Sequence, residues 1–286
     1  MRSNVWCAWW RDRFNVDEYI YHYTSFETAL KILYSDKFQF SPLSKTNDTT
    51  EQKLRISYDF RMTERQKQNS IHFERYWSSW ATNSKLLCFS QDRSKDISPV
   101  TQNFNDISDV SGRGFALPRM WAQYASNNSG VCFIVRKKPL INKVCKIYPE
   151  SICQSVSYFD WSESFKIPEK LFTDFTEIVM HNPTTGYATT FLKDNPEFAN
   201  YSFFSKLKDW EGEKEYRILL PNANEQYLYI EGIRNYLAGI VLGERMDNAE
   251  ISTLKTILPA TIPIRRITFE LKRCSVVNVN EIDSFV

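Results

Sequence analysis

"EYIYHYTSFETALKIL" (Glu18–Leu33) decides how the chain is read. β-Branched and aromatic residues fill positions 19–24, which predicts a strand. "TSFE" follows at once and reads as a capping box, with Thr24 as N-cap and Glu27 three residues on. Phe26, Leu30 and Leu33 then recur at helical spacing, with Ala29 beside them. A strand therefore turns directly into a helix, and His22 stands at the corner between tyrosines. A lone histidine there is either a hydrogen-bonded structural residue or a group presented to a ligand, and both readings stand.

Outward from this corner, "KFQFSP" predicts a short strand closed by Pro42. "NDTTEQKLRISYDFRM" predicts a helix starting at Asp48, and a second helix is expected over 71–80. "KLLCFSQ" reads as a buried strand. Residues 92–115 are polar and read as a long loop. "LPRMWAQYAS" is a short helix. "GVCFIVRK", "KVCKIYP" and "CQSVSYF" are expected as three consecutive strands, and 168–207 as largely helical. "EYRILLP", "QYLYIEG" and "LAGIVLG" are strands, "DNAEISTLKTIL" a capped helix, and "PIRRITFELKR" and "SVVNVN" closing strands. Helices mixed among many short strands, without a βαβ rhythm, predict an α+β fold with mainly antiparallel sheet. No linker interrupts the pattern, so one domain over 1–286 is expected, with a long loop insertion at about 92–115.

The chain has 286 residues, 42% hydrophobic, 15% aromatic and 24% charged, with a net charge of +2. These values suit a soluble globular protein and argue against a bulk nucleic-acid binder. The six cysteines form no CxxC pair and no zinc-like spacing, so buried thiols in a reducing cytoplasm and no metal site are expected. The start, "MRSNVWCAWWRDRFNV", is too short and too charged for a signal peptide or a membrane span. There is no glycine-rich phosphate loop, no HExxH and no GxSxG, which argues against a P-loop enzyme, a Rossmann dehydrogenase or an α/β-hydrolase.

"WEGEKEYRILLP" (210–221) is the most informative chemical stretch. Glu211, Glu213 and Glu215 alternate on the approach to a strand, and period-2 spacing puts them on one face if the strand starts early. Paired carboxylates can stabilise a developing cation and take a proton. The competing reading is an acidic turn paired with Lys206, Lys208 or Arg217. Two basic segments, Arg136–Lys138 and Arg265–Arg266 with Lys272–Arg273, are either nucleic-acid contacts or solvated strand ends.

Taken together, the motifs resemble a bacterial family known as domain of unknown function 2971. Its pattern appears here as Tyr21-His22-Tyr23-Thr24, Asn47-Asp48 with Glu51, Cys88-Phe89-Ser90, Met120-Trp121 with Tyr124-Ala125, Gly130-Val131, Trp210 with Glu213 and Glu215-Tyr216-Arg217, and Ile240 to Gly243. Order and spacing agree over about 19–257, and the loop at 92–115 is longer than is usual in that family. More distantly, His22-Tyr23-Thr24 and Glu213–Glu215 resemble the first and last motifs of ADP-ribosyltransferase-like toxins.

The second resemblance implies antiparallel split sheets with flanking helices, and NAD as substrate. Glu215 would be catalytic and Glu213 would serve the acceptor. His22, Thr24, Tyr23, Ser90 and Tyr124 would bind NAD, with Tyr124, Tyr23 or Trp121 stacking on nicotinamide. It implies a toxin of the toxin–antitoxin kind or an antiviral defence effector, with an antitoxin protein as partner and no membrane. The acceptor would be RNA or DNA in single-stranded form, or a protein. Plain NAD hydrolysis and a non-catalytic module binding nucleic acid or protein remain the alternatives.

Overall fold

A computed structural model describes residues 18–48, 51, 57–93, 110–160, 166–181, 185–221, 223, 225–271 and 273–279. The opening stretch folds as read: β1 (Tyr19–Thr24) runs into α1 (Phe26–Ser35). The cap sits one residue later than expected. Ser25, not Thr24, accepts the Thr28 N–H, because Thr24 is still paired in the strand opposite Val131. β2 (Lys37–Pro42) follows, then α2 (Glu64–Asn83) and β3 (Lys85–Ser90). The second predicted helix is thus present but longer, begun by a Thr63–Gln66 capping box. The helix expected from Asp48 falls largely outside the described residues. Its described end, 57–62, is not helical, and Tyr58 instead bridges to Ile167. Most of the 92–115 loop also lies outside them.

α3 (Pro118–Tyr124) and β4 (Val131–Arg136) match expectation. "KVCKIYP" does not: it is the second half of α4 (Lys137–Ile147), whose Leu140 and Val144 are buried at helical spacing. The β-forming Val144, Ile147 and Tyr148 suggested a strand, and the i, i+4 burial decided otherwise. β5 (Ile152–Ser155), β6 (Ser157–Phe159), α5 (Glu169–His181), α6 (Thr185–Asp194), α7 (Pro196–Phe203), β7 (Ser205–Leu207), β8 (Glu215–Leu220), β9 (Leu228–Glu231), β10 (Leu237–Leu242), α8 (Asn248–Ile257), β11 (Ile264–Glu270) and β12 (Arg273–Asn278) complete the chain.

The main sheet runs β12-β11-β10-β4-β1-β3-β2-β9, with β8 and β5 branching from β3. Its pairs are antiparallel except β10–β11, so the α+β, mainly antiparallel reading holds. The branch creates the feature that matters. β8 occupies one edge of β3 along its whole length, Lys85 to Ser90. β1 and β2 share the other edge: β2 pairs with Lys85 and Leu86, and β1 only with Ser90. The sheet therefore forks, and Leu87, Cys88 and Phe89 have no partner strand on that side among the described residues.

Strand alternation places the cores. In β4, Val131, Phe133 and Val135 join one buried cluster with α1, α4 and α8, while Cys132 and Ile134 join a second one under α3. A third cluster packs α2, α5, α6 and α7 on Leu86 and Leu219. Ile20, Phe133 and Ile218 are 0% exposed, each a burial worth about 1.5–3 kcal/mol. In β8 the alternation puts Tyr216, Ile218 and Leu220 in the first cluster. Glu215 and Arg217 share the opposite face with Leu219.

Candidate functional site

A cavity of about 220 Å³ opens at the fork of the sheet. His22 fills the fork itself. Its Nδ1 lies 3.1 Å from the Cys88 carbonyl, one of the groups the fork leaves unpaired. A carbonyl only accepts, so Nδ1 carries the proton and Nε2 is the acceptor nitrogen. The ring packs edge-on against Phe38 and Phe89, at 5.1 and 5.7 Å. Burial pulls the imidazole below its ordinary value, more than the Cys88 contact raises it, so the ring stays neutral. His22 is thus two residues short of the strand-to-helix corner, and its site is the gap between β1 and β2.

Tyr124 reaches the cavity from the end of α3. The chain then reverses through Ser126, Asn127 and Asn128, all left-handed (φ 46, 52 and 71°). Gly130 lands against the end of β1, where a Cβ would lie 2.3 Å from the Thr24 carbonyl oxygen. That close approach sets β4 beside β1 and carries Tyr124 to the mouth of the fork. The Tyr124 hydroxyl donates to Glu213 Oε1 at 2.7 Å.

Glu213 and Glu215 do come together, but not by strand alternation. Lys208–Glu213 is a 3₁₀ turn, Lys214 is left-handed (φ 47°), and the strand begins only at Glu215. Glu211 leaves the group and pairs with Lys214. The two remaining carboxylates meet at Lys206, whose Nζ is 2.8 Å from Glu213 Oε2 and 2.8 Å from Glu215 Oε2. Period 2 acts instead between Glu215 and Arg217, which pair side-on, Oε1 to Nε at 2.7 Å and Oε2 to Nη2 at 3.0 Å. Arg217 also pairs with Glu51 and donates to the Phe203 carbonyl at 2.6 Å.

The result is a buried set of three carboxylates (Glu51, Glu213, Glu215) and two cations (Lys206, Arg217), each side chain at most 7% exposed. These are the members among the described residues, and Lys45 adds a further cation to the cavity wall. Burial pushes the Glu215 carboxyl up, but Arg217 and Lys206 overcome it and bring it down to about 2. Burial dominates at Glu51 and raises it despite the same two cations. Burial alone would lower Lys206, yet Glu215, Glu51 and Glu213 carry it above its ordinary value. Lys206 therefore stays charged and is not a nucleophile.

Of the residues singled out from the sequence, His22, Tyr23, Ser90, Tyr124, Glu213 and Glu215 line this cavity. Ser90 is 1% exposed and its Oγ has no hydrogen-bond partner among the described residues. The Tyr23 ring lines the wall, while its hydroxyl is spent on the Gly114 carbonyl at 2.7 Å. Thr24 does not reach the cavity. It lines an adjoining outer groove of about 810 Å³ that shares His22, Tyr23 and Tyr124 and runs past Ser25 and Thr28 at the start of α1. Trp121 is fully buried and lines neither, so it is not a stacking platform. Lys206, Arg217 and Glu51 belong to the site and were not singled out as functional. From the sequence Lys206 is expected only as a partner that would neutralise the glutamates, and Arg217 as that and as part of the family motif; the structure contains both pairings. Lys208 pairs with Asp160 instead. Cys88 also lines the cavity. Burial, then Glu215, pushes its thiol well up, and His22 touches its carbonyl, so the two form no thiolate–imidazole pair.

Residues 120–218 match a family model described as a protein of unknown function (DUF2971). The match spans α3 to β8 and includes Tyr124, Lys206, Glu213, Glu215 and Arg217, and it bears out the family resemblance drawn from the motifs. No curated protein and no solved structure matches the chain.

Proposed function

We propose that the chain is an NAD-dependent ADP-ribosyltransferase with an ADP-ribosyltransferase-like split sheet, acting on a macromolecular acceptor as a toxin or defence effector. The observation that supports it most is the convergence of His22, Tyr124, Glu213 and Glu215. They come from three separate segments and line one cavity, whose wall Glu213 and Glu215 share with Lys45, Lys206 and Arg217. NAD presents a cationic pyridinium and passes through an oxocarbenium-like ribosyl centre when nicotinamide leaves, and an ionised carboxylate beside it favours both.

In this reading the nicotinamide ribose enters the inner cavity. Glu215, held ionised by Arg217 and Lys206, stabilises the ribosyl cation. His22 Nε2 accepts a hydrogen bond from a ribose hydroxyl, and the unpartnered Ser90 hydroxyl meets the carboxamide. Tyr124 offers the ring for stacking. The pyrophosphate lies in the outer groove by Thr24, Ser25 and the first amides of α1. Glu213, tied to Tyr124 and Lys206, receives the acceptor proton. Incubating the chain with NAD and following nicotinamide release and transfer of labelled ADP-ribose tests this reading.

One observation favours a second reading, a non-catalytic binding module. Each carboxylate oxygen of Glu213 and Glu215 already has a cation or hydroxyl partner. A chain that binds NAD without consuming it would decide for this alternative.

A further inference from the structure

The helix that replaces the expected "KVCKIYP" strand gathers charge that the sequence reading had scattered. α4 carries Lys137, Lys138, Lys143 and Lys146 with no acidic residue, and the exposed Arg136 precedes it. Lys137 and Lys138 stand in the first turn, where the helix dipole favours acids. Lys138 and Lys146 are exposed. Lys137 is held over the Tyr216 ring, 4.2 Å from its centroid, so Lys138 is the lysine of that turn turned to solvent.

The C-terminal end of α4 is joined to an aromatic surface. The Tyr148 hydroxyl donates to the Tyr229 carbonyl at 2.9 Å. Tyr229 lies on β9, an edge strand paired with β2. Its ring is near-parallel to that of Tyr227, at 6.5 Å and 23°, and the two residues are 37% and 54% exposed. Lys37 lies 5.6 Å over the Tyr229 ring and is paired with Glu231, while Lys143 is close enough to Glu231 to help hold its carboxyl down after Lys37. Glu150 and Glu225 are the other acidic groups that reach Tyr148. Tyr229, Lys37 and Lys31 line the same outer groove that reaches His22 and Tyr124. Lysines, exposed parallel rings and a path to the cavity therefore form one continuous surface.

We propose that this surface binds a single-stranded nucleic acid, its backbone along the lysines of α4 and its bases stacked on Tyr227 and Tyr229, so that a nucleotide enters the outer groove. The assignment of that strand as the acceptor rests on the ADP-ribosyltransferase reading above. Unpaired bases expose the faces that flat aromatic rings take, whereas a duplex hides them.

The test is fluorescence anisotropy of the whole chain with labelled dT12, U12 and a mixed-sequence duplex over a salt series, without NAD. The two single strands distinguish DNA from RNA. We expect one or both to bind more tightly than the duplex. Y227A/Y229A should weaken binding on the order of 10-fold or more. K138E/K143E/K146E should flatten the salt dependence by about 0.7 in log–log slope per lost contact. Matched thermal unfolding of the variants excludes misfolding. Duplex binding equal to single-strand binding, or affinities untouched by both sets of variants, would overturn the proposal. NAD turnover by the unaltered chain separates the two claims. Turnover without strand binding sinks only this inference, and strand binding without turnover sinks only the enzymatic reading.

Discussion

Glu215 and Arg217 pair side-on from the same face of β8, with Oε1 2.7 Å from Nε and Oε2 3.0 Å from Nη2. Two residues on one strand face are neighbours by geometry, so the pair is built into the strand. It lies in the buried wall of the cavity, 7% and 1% exposed as side chains, and everything else in the charge set is arranged around it.

Removing one partner is therefore costly. Arg217→Met leaves Glu215 and Glu51 short of a cation in the interior and should destabilise the fold by about 3–5 kcal/mol. Adding Glu215→Leu to Arg217→Met should recover part of that loss, because no unpaired charge then remains at 215. Urea midpoints of the two single variants and the double variant form the cycle that checks it.

The same pair sets an acid limit. Glu215 has a folded value of about 2 against an ordinary 4.5, so it contributes stability that is full above pH 4.5 and is lost as pH falls towards 2. Glu51 is shifted the other way, so its protonation favours the fold as pH falls towards 4.5, above the window in which the Glu215 contribution is lost. A urea midpoint series from pH 6 to pH 2 should fall steeply in that lower window for the native chain. For Glu215→Gln it should fall less steeply.

His22 should matter to the fold as well as to the site. His22→Ala strips the Cys88 carbonyl of its partner at the fork, a loss of about 1–3 kcal/mol. His22→Phe keeps the ring packing against Phe38 and Phe89 but still lacks the donor. Both variants should unfold earlier than the native chain in a thermal scan, and both should lose NAD consumption. If His22→Phe consumed NAD normally, the imidazole would have no part in binding.

The glycines separate close approach from open space. Gly130→Ala puts a Cβ 2.3 Å from the Thr24 oxygen and should cost at least about 1–3 kcal/mol while moving Tyr124. At Gly212 the nearest atom would be 3.9 Å away, so Gly212→Ala should stay within about 0.5 kcal/mol. Chemical denaturation of the two variants side by side tests the contrast.

How much of this could be read from the sequence follows from the range of the interactions. β1 and α1 were legible because alternation and helical spacing are local signals. The cap was misplaced by one residue because "TS" offers two hydroxyls and only strand pairing decides between them. α4 was half-missed because Val144, Ile147 and Tyr148 favour strands, although Pro139 near its start and the Leu140–Val144 spacing were available signals. The two glutamates were found for the wrong reason. A 3₁₀ turn and left-handed Lys214 break the alternation, and a lysine from β7 draws the carboxylates together. Glu51, Lys206 and Arg217 as one charge set, and the fork at His22, depend on pairings across the sheet, which the spacing within one segment does not encode.

The central claim is that Glu215 works on NAD in this cavity. The direct measurement is nicotinamide release from NAD by the native chain and by Glu215→Gln, with both proteins shown to be folded at the assay temperature. The account predicts release by the native chain and a loss on the order of 100-fold or more in the variant. Equal release by the two proteins, or no release by the native chain with any RNA, DNA or protein acceptor present, would contradict it.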